Sequence, residues 1–282
     1  MAGFAGIPLK PLDAAFAARA IPTGSARHWS YVFAAPPVRA PLLGIFALLA
    51  EWQALLDPAT ERTVAQIKLA WWHEEMLRLV EGAAVHPISL YLASQPAAAA
   101  GHFHLLTGAV QAAIVEISGA PLELGTQLEA HSDALIAGPL RVASLIAEAQ
   151  PDQAALARCT QALATAQYLA RALRDYRREA AGGRVPFAVD ELLRAGVDNA
   201  DLLASEAAPH LRRYLDDLRG RADDQFARVA REAPATGRSR FRHLLVLAAL
   251  GAKRLEGRAG RSGFDALKYM LLAWTTARRA VS

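Results

Sequence analysis

Cysteine is nearly absent from this 282-residue chain: Cys159 stands alone. No intramolecular disulfide can form, and a reducing, cytoplasmic setting is the expectation. Aromatic side chains are scarce at 7% and are not interleaved with the basic residues. That excludes a stacking platform for nucleic acid. Long apolar runs are missing as well. The longest, Ala40 to Ala50, lies between Arg39 and Glu51 and falls short of the roughly 18–20 residues that cross a bilayer. No basic stretch followed by an apolar one opens the sequence, so no secretory signal is expected. Neither a Gly-x-Ser-x-Gly elbow, a P-loop nor a dinucleotide fingerprint occurs. His73-Glu74 has no second histidine at zincin spacing, and His102 and His104 diverge on a helix, so zinc is not expected either.

What is present favours helices. The composition is 53% hydrophobic and 21% charged, and much of the apolar share is alanine, the best helix former. Turn signals divide the chain into helical lengths. One runs from Pro36-Pro37 to about Leu56, a second from about Thr60 to Glu81 before Gly82, and a third from Pro121 to Ile136, stopped by Gly138-Pro139. The longest runs from Pro151 to Ala181. Shorter helices follow around Asp190–Arg194, Pro209–Glu232, Arg240–Glu256 and Gly263–Arg279. In the longest, Leu156, Cys159, Leu163, Ala166, Ala170 and Leu173 recur every three or four residues, which predicts one buried face. Trp71 and Trp72 read as packing residues on two sides of a buried helix. No strand-like alternation, internal repeat or linker is seen. The expectation is a single all-α domain over residues 1–282, with about ten helices.

The net charge of +4 is unevenly spread. Ten basic residues against Glu256 and Asp265 give the segment from Arg238 to Ser282 a charge of +8, which leaves −4 before it. Such a segment suits an anionic membrane surface, so peripheral attachment at the inner face of a membrane is a further expectation.

Three stretches, in order, resemble the squalene/phytoene synthase family. They are Trp29-Ser-Tyr-Val-Phe-Ala-Ala-Pro-Pro-Val-Arg39 leading into Leu43–Trp52; Gln66-Ile-Lys-Leu-Ala-Trp-Trp-His-Glu-Glu75 followed by His86-Pro87; and Ala172-Leu-Arg-Asp-Tyr-Arg-Arg-Glu-Ala-Ala-Gly-Gly-Arg-Val185 followed by Asp190-Glu-Leu. The resemblance implies an isoprenoid-synthase-like helical bundle around a central cavity. It also implies head-to-head condensation of prenyl diphosphates, with Mg²⁺ held by two aspartate-rich motifs on facing helices. Hard carboxylate oxygens at i and i+4 suit that ion.

The motifs are only partly kept. The first falls on Gln53, Ala54 and Asp57, with Ala50 where an arginine is usual; Asp57-Pro58 also reads as a helix N-cap. The second keeps Asp175 and Glu179 as its carboxylates, the candidate metal ligands, flanked by Arg174 and Arg184. Arg39 is a further candidate for the diphosphate. Arg171 stands where the family usually has asparagine. It shares a helical stripe with residues 175 and 179, so a pair with Asp175 is expected. A Mg²⁺ about 6 Å from that guanidinium would be repelled by roughly 5 kcal/mol at an effective dielectric of 20.

Three functions follow from this reading. The first is a non-catalytic relative, a pseudoenzyme, that needs no cofactor and binds a prenyl diphosphate, an apolar lipid or a protein partner. It resembles the family's branch of assembly factors for respiratory complex I, which also lacks the first motif. The second is an active prenyl transferase in isoprenoid biosynthesis with Mg²⁺ and an unusual metal site. The third is a helical scaffold whose cavity is filled.

Overall fold

The computed structural model describes residues 12–95, 101–147, 152–234, 237–256 and 263–281. Over these the chain forms helices α1 (Ala14–Ala20), α2 (Ala26–Phe33), α3 (Pro36–Leu56), α4 (Arg62–Glu81), α5 (Pro87–Ala93), α6 (His104–Ser118) and α7 (Gly125–Ser132). They continue with α8 (Gly138–Ala147), α9 (Gln153–Ala181), α10 (Val189–Ala195), α11 (Asn199–Leu203), α12 (Pro209–Glu232), α13 (Arg242–Glu256) and α14 (Gly263–Arg279). Among the described residues the only extended pairing is an isolated bridge between Leu122 and Ala188. The excess over ten helices comes from short pieces of five to eight residues, whose periodicity is too brief to read from sequence.

Helix α9 positions everything else. Its first half, from Ala155 to Ala166, is buried with residues of α3, α6, α8 and α13. Its second half, from Tyr168 to Ala180, packs with Leu128 of α7, Phe187 and residues of α10 to α12. The expected stripe is there: Leu156, Cys159, Leu163 and Ala166 are buried, while Ala170 and Leu173 are partly so. Asp152 caps the helix by accepting from the Ala155 amide at 2.9 Å, and Pro151 lies outside the described residues. Fully buried Leu42, Ile45, Phe46 and Leu48 make α3 a core helix, each side chain stabilising the fold by about 1.5–3 kcal/mol. By length and composition α3 would also span a membrane, but 61% of its apolar window is buried inside the bundle.

Several boundaries differ from expectation. Asp57 does not cap the second long helix. Its carboxylate accepts from the Ala59 amide in a turn, and Glu61 caps α4 through the Thr63 and Val64 amides. Residues 121–124 are not helical, because Leu122 accepts from the Val189 amide and Glu123 from that of Asp190. Gly138-Pro139 does not stop a helix. A π-helical turn over Asp133–Ala137 carries α7 directly into α8, which lets the proline fall where no amide donor is needed. Of the tryptophan pair, Trp72 is buried edge-on against Trp52, whereas Trp71 is 43% exposed.

Close packing of α13 on α12 rests on Gly251. A Cβ there would sit 2.4 Å from the ring of buried Phe226. Gly251→Ala should therefore destabilise the protein by about 1–3 kcal/mol through overpacking, despite alanine's better helix propensity. A thermal melt that is unchanged or raised would contradict this packing.

Candidate functional site

Where α6, α7 and the middle of α9 meet, a cluster of charged and polar groups lies inside the bundle. Glu116 comes from the last turn of α6, His131 from α7, and Tyr168, Arg171 and Glu179 from α9; Arg184 follows just after the helix. Arg171 Nη1 donates to Glu116 Oε1, and the same nitrogen lies 3.7 Å from Glu179 Oε1. His131 Nε2 is 3.1 Å from the other Glu116 oxygen. The Tyr168 ring lies under the Arg171 guanidinium at 4.8 Å. Arg184 Nη2 donates to the Leu56 carbonyl at 2.8 Å, tying this cluster to the end of α3.

The electrostatics follow from burial plus this pairing. Desolvation raises the Glu116 pKa, but the Arg171 charge and the bonds from His131 and Arg171 outweigh it and hold the group at about 2. Arg171 moves the other way: burial works against its charge, Glu116 more than offsets that, and its pKa is raised. For Glu179 desolvation wins over Arg171, aided by repulsion from Glu116, so its pKa is raised. Two buried guanidinium nitrogens, Arg171 Nη2 and Arg184 Nη1, have no hydrogen-bond partner within the protein. Glu116, His131, Tyr168, Glu179 and Arg184 line a cavity whose free space is about 20 Å³, room for one water.

The expected pair between Arg171 and Asp175 does not form. Asp175 turns outward and is held by Arg174 Nη2 at 2.7 Å and Arg178 Nη2 at 3.7 Å. Glu116, deep in the bundle, is the stronger counter-charge because less solvent screens it. The stripe is nonetheless real, since Arg171 reaches Glu179 two turns on. Gln53 accepts from Arg27. Asp57 lies 3.8 Å from the other end of Arg178, so that arginine stands between the surviving carboxylates of the two motifs. Arg39 does not join them: it donates to the Val32 and Ala34 carbonyls at the end of α2. Glu116 and His131 were not anticipated from sequence. The available signal was that Glu116 is the one acidic residue in an otherwise apolar α6.

These residues do not fit Mg²⁺. Asp57, Asp175 and Glu179 each already lie within 3.8 Å of a guanidinium, and among the described residues no three His, Cys, Asp or Glu side chains are placed to hold a metal ion. A hard dication needs free carboxylate oxygens and room for several waters.

The fold defines the class. A dehydrosqualene synthase crystallised with a ligand superposes with a TM-score of 0.70 at 13% identity, covering 94% of this chain and 96% of that one. The squalene synthase HpnC from Alicyclobacillus acidocaldarius gives 0.65 at 18% identity, over 94% and 93%. Both are all-α isoprenoid-synthase folds, and at these identities the likeness establishes the architecture. The squalene/phytoene synthase family model matches residues 23–278, so the chain belongs to that family. No curated protein sequence matches it.

Arg171→Met should cost about 3–5 kcal/mol near neutral pH, because it leaves Glu116 charged and buried without its partner. Adding Glu116→Gln should recover most of that loss. In the wild type the depressed Glu116 pKa contributes stability that is present above its unfolded value near 4.5 and is lost as pH falls towards 2. Raised Glu179 contributes the opposite, favouring the fold as pH drops through its native pKa. In Arg171→Met both carboxylates would titrate upward, so its deficit should shrink on acidification by about two pH units from neutrality. Denaturation of the four cycle members at both pH values measures this. A coupling near zero would mean that the pair is not a buried ion pair.

Proposed function

We propose that this protein is a non-catalytic member of its family, which binds a prenyl lipid without a metal ion instead of condensing two diphosphates. The carrying observation is that arginines stand where metal would be required: Arg171 between Glu116 and Glu179, and Arg178 between Asp57 and Asp175. Ionisation of a diphosphate needs several uncompensated positive charges aimed at the leaving oxygens. Here the cations are fixed by carboxylates of the same chain.

The ligand chemistry comes from the two unpartnered nitrogens. Arg171 Nη2 and Arg184 Nη1 are buried donors that gain an acceptor when an anionic headgroup enters, as guanidinium and phosphate pair readily. The space of about 20 Å³ means that the headgroup enters by displacing side chains, with Glu116 the competing anion. A metal-free site of this kind is what distinguishes a binding protein from an active transferase.

A non-hydrolysable farnesyl or geranylgeranyl diphosphate should raise the melting temperature without Mg²⁺. At a hundred times its dissociation constant it adds about 2.7 kcal/mol. Incubation with farnesyl diphosphate and Mg²⁺, followed by extraction and mass analysis, should give no condensed product. Arg171→Asn should weaken the metal-free shift and make the remaining binding depend more on Mg²⁺, because it frees Glu116 and Glu179. A shift seen only with Mg²⁺, or a condensed product, would establish an active transferase instead. No shift under either condition would leave an apolar lipid or a protein partner as the ligand.

A further inference from the structure

Helix α14 is oriented the wrong way round for a helix that only covers a core. Its fully buried residues are Ala273 and Ala277, packed with Val246 and Leu250 of α13, and Tyr269 and Leu272 are partly buried beside them. Other large apolar side chains face out: Leu267 is 50% exposed, Leu271 47%, Trp274 43%, and Val281 just past its end 61%. Positions 267, 271, 274, 278 and 281 recur at three and four residues, so they form one line along the helix. Arg278 is on that line and lies over the Trp274 ring at 4.8 Å. Exposed Lys268 and Arg279 flank it, and no Asp or Glu occurs from Ala266 to Val281.

Burial of Ala273 and Ala277 gains little per residue, whereas two leucines and a tryptophan left in water forfeit much of the apolar area that this helix could bury. A surface of this composition is complete only against something apolar and negatively charged. We propose that the outer face of α14 docks on an anionic lipid bilayer, lying in the plane of the headgroups. Leu267, Leu271 and Trp274 would then enter the acyl boundary, while Lys268 and Arg278 meet lipid phosphates. Tryptophan favours that interface, because its ring is apolar and its indole N–H wants a polar partner. The long basic side chains reach upwards to the headgroups while their stems cover apolar surface. Charge selects lipid over a second copy of the chain: from residue 266 onward two such faces would bring cation against cation, with no acid in that stretch to compensate. The cations also sharpen the sequence expectation, since the basic segment's Arg258, Arg261 and the Asp265 side chain lie outside the described residues, yet α14 alone carries the required pattern.

The proposal is independent of the prenyl-binding reading, since no residue of α14 lines the cluster around Arg171. The test is flotation of the full-length protein with vesicles of phosphatidylcholine alone or mixed with phosphatidylglycerol. Binding is expected only to the mixed vesicles and should fall as salt rises, because surface charges are screened within about 8 Å at physiological ionic strength. Leu271→Glu with Trp274→Glu should abolish it. Lys268→Ala with Arg278→Ala should weaken it by roughly 30-fold, at about fivefold per cation near the surface. All four positions are exposed, so circular dichroism and melting should match the wild type in both double variants. Equal binding to neutral vesicles, or binding that survives the Leu271/Trp274 change, would overturn the proposal. So would a dimer in solution that this change dissociates, which would assign the face to a second copy.

Discussion

The contact between Arg171 and Glu116 is the constraint on which the centre of this molecule depends. It joins the last turn of α6 to the middle of α9 through a buried carboxylate and a largely buried guanidinium. A buried ion pair is rarely more stable than apolar residues of the same volume. What it contributes is specificity: only one register of α6 against α9 brings Oε1 to Nη1 while His131 meets Oε2. Tyr168 fits the same register, with its ring beneath the guanidinium and edge-on to His131. Burial and the neighbouring carboxylate both raise the phenol pKa, so this ring remains a neutral packing partner. Glu179 is left with the weaker half of Arg171, which is why its pKa moves opposite to that of Glu116.

The matched residues that persist have backbone duties. Glu75, fully buried, accepts from the Val85 and His86 amides, and the His86 ring in turn accepts from the Ile88 amide to open α5. Arg184 holds the Leu56 carbonyl at the end of α3, and Asp57 makes the turn that follows. Loss of any of these leaves a buried donor or acceptor unmade, which costs about 1–3 kcal/mol. Gln53 and Ala54 have no such duty towards the backbone. A glutamine there needs a single donor, and Arg27 supplies it. Glu75, Arg184 and Asp57 each hold backbone groups in place, and Ala54 has no side chain that could.

The helices were legible because their signals are local. Period, proline and glycine located α3, α4, α9, α12 and α14 to within a few residues. Where the reading failed, a distant segment decided. Residues 121–124 pair with residues 188–190, which no window around Pro121 contains. Asp57 caps no helix because α4 begins only at Arg62: its carboxylate reaches the Ala59 amide, whereas Glu61 stands beside those of Thr63 and Val64. The site was half legible on the same grounds. Arg171, Asp175, Glu179 and Arg184 were found from one helix and its exit, but the partner of Arg171 lies fifty-five residues away in sequence. Spacing along α9 therefore suggested Asp175. Depth decided for Glu116, and depth is a property of the packed bundle, not of the stripe.

Arginine has two roles in this chain, and the difference between them separates structure from surface. Around α9 the guanidinium groups are paired within the chain: Arg171 with Glu116 and Arg184 with a carbonyl in the interior, Arg174 and Arg178 with Asp175 at the surface. Their charge is compensated by the chain that carries them, so it adds little to the field outside. Along the exposed line of α14 that compensation is missing. Arg278 has a tryptophan ring for its neighbour, and the helix has no acid from residue 266 onward. An uncompensated cation beside exposed leucines raises no conflict in water taken singly. Repeated along one face of one helix, it gives that face a fixed field and a fixed apolar area together. The packing of α14 on α13 needs neither, so its outer face answers to a requirement beyond the fold.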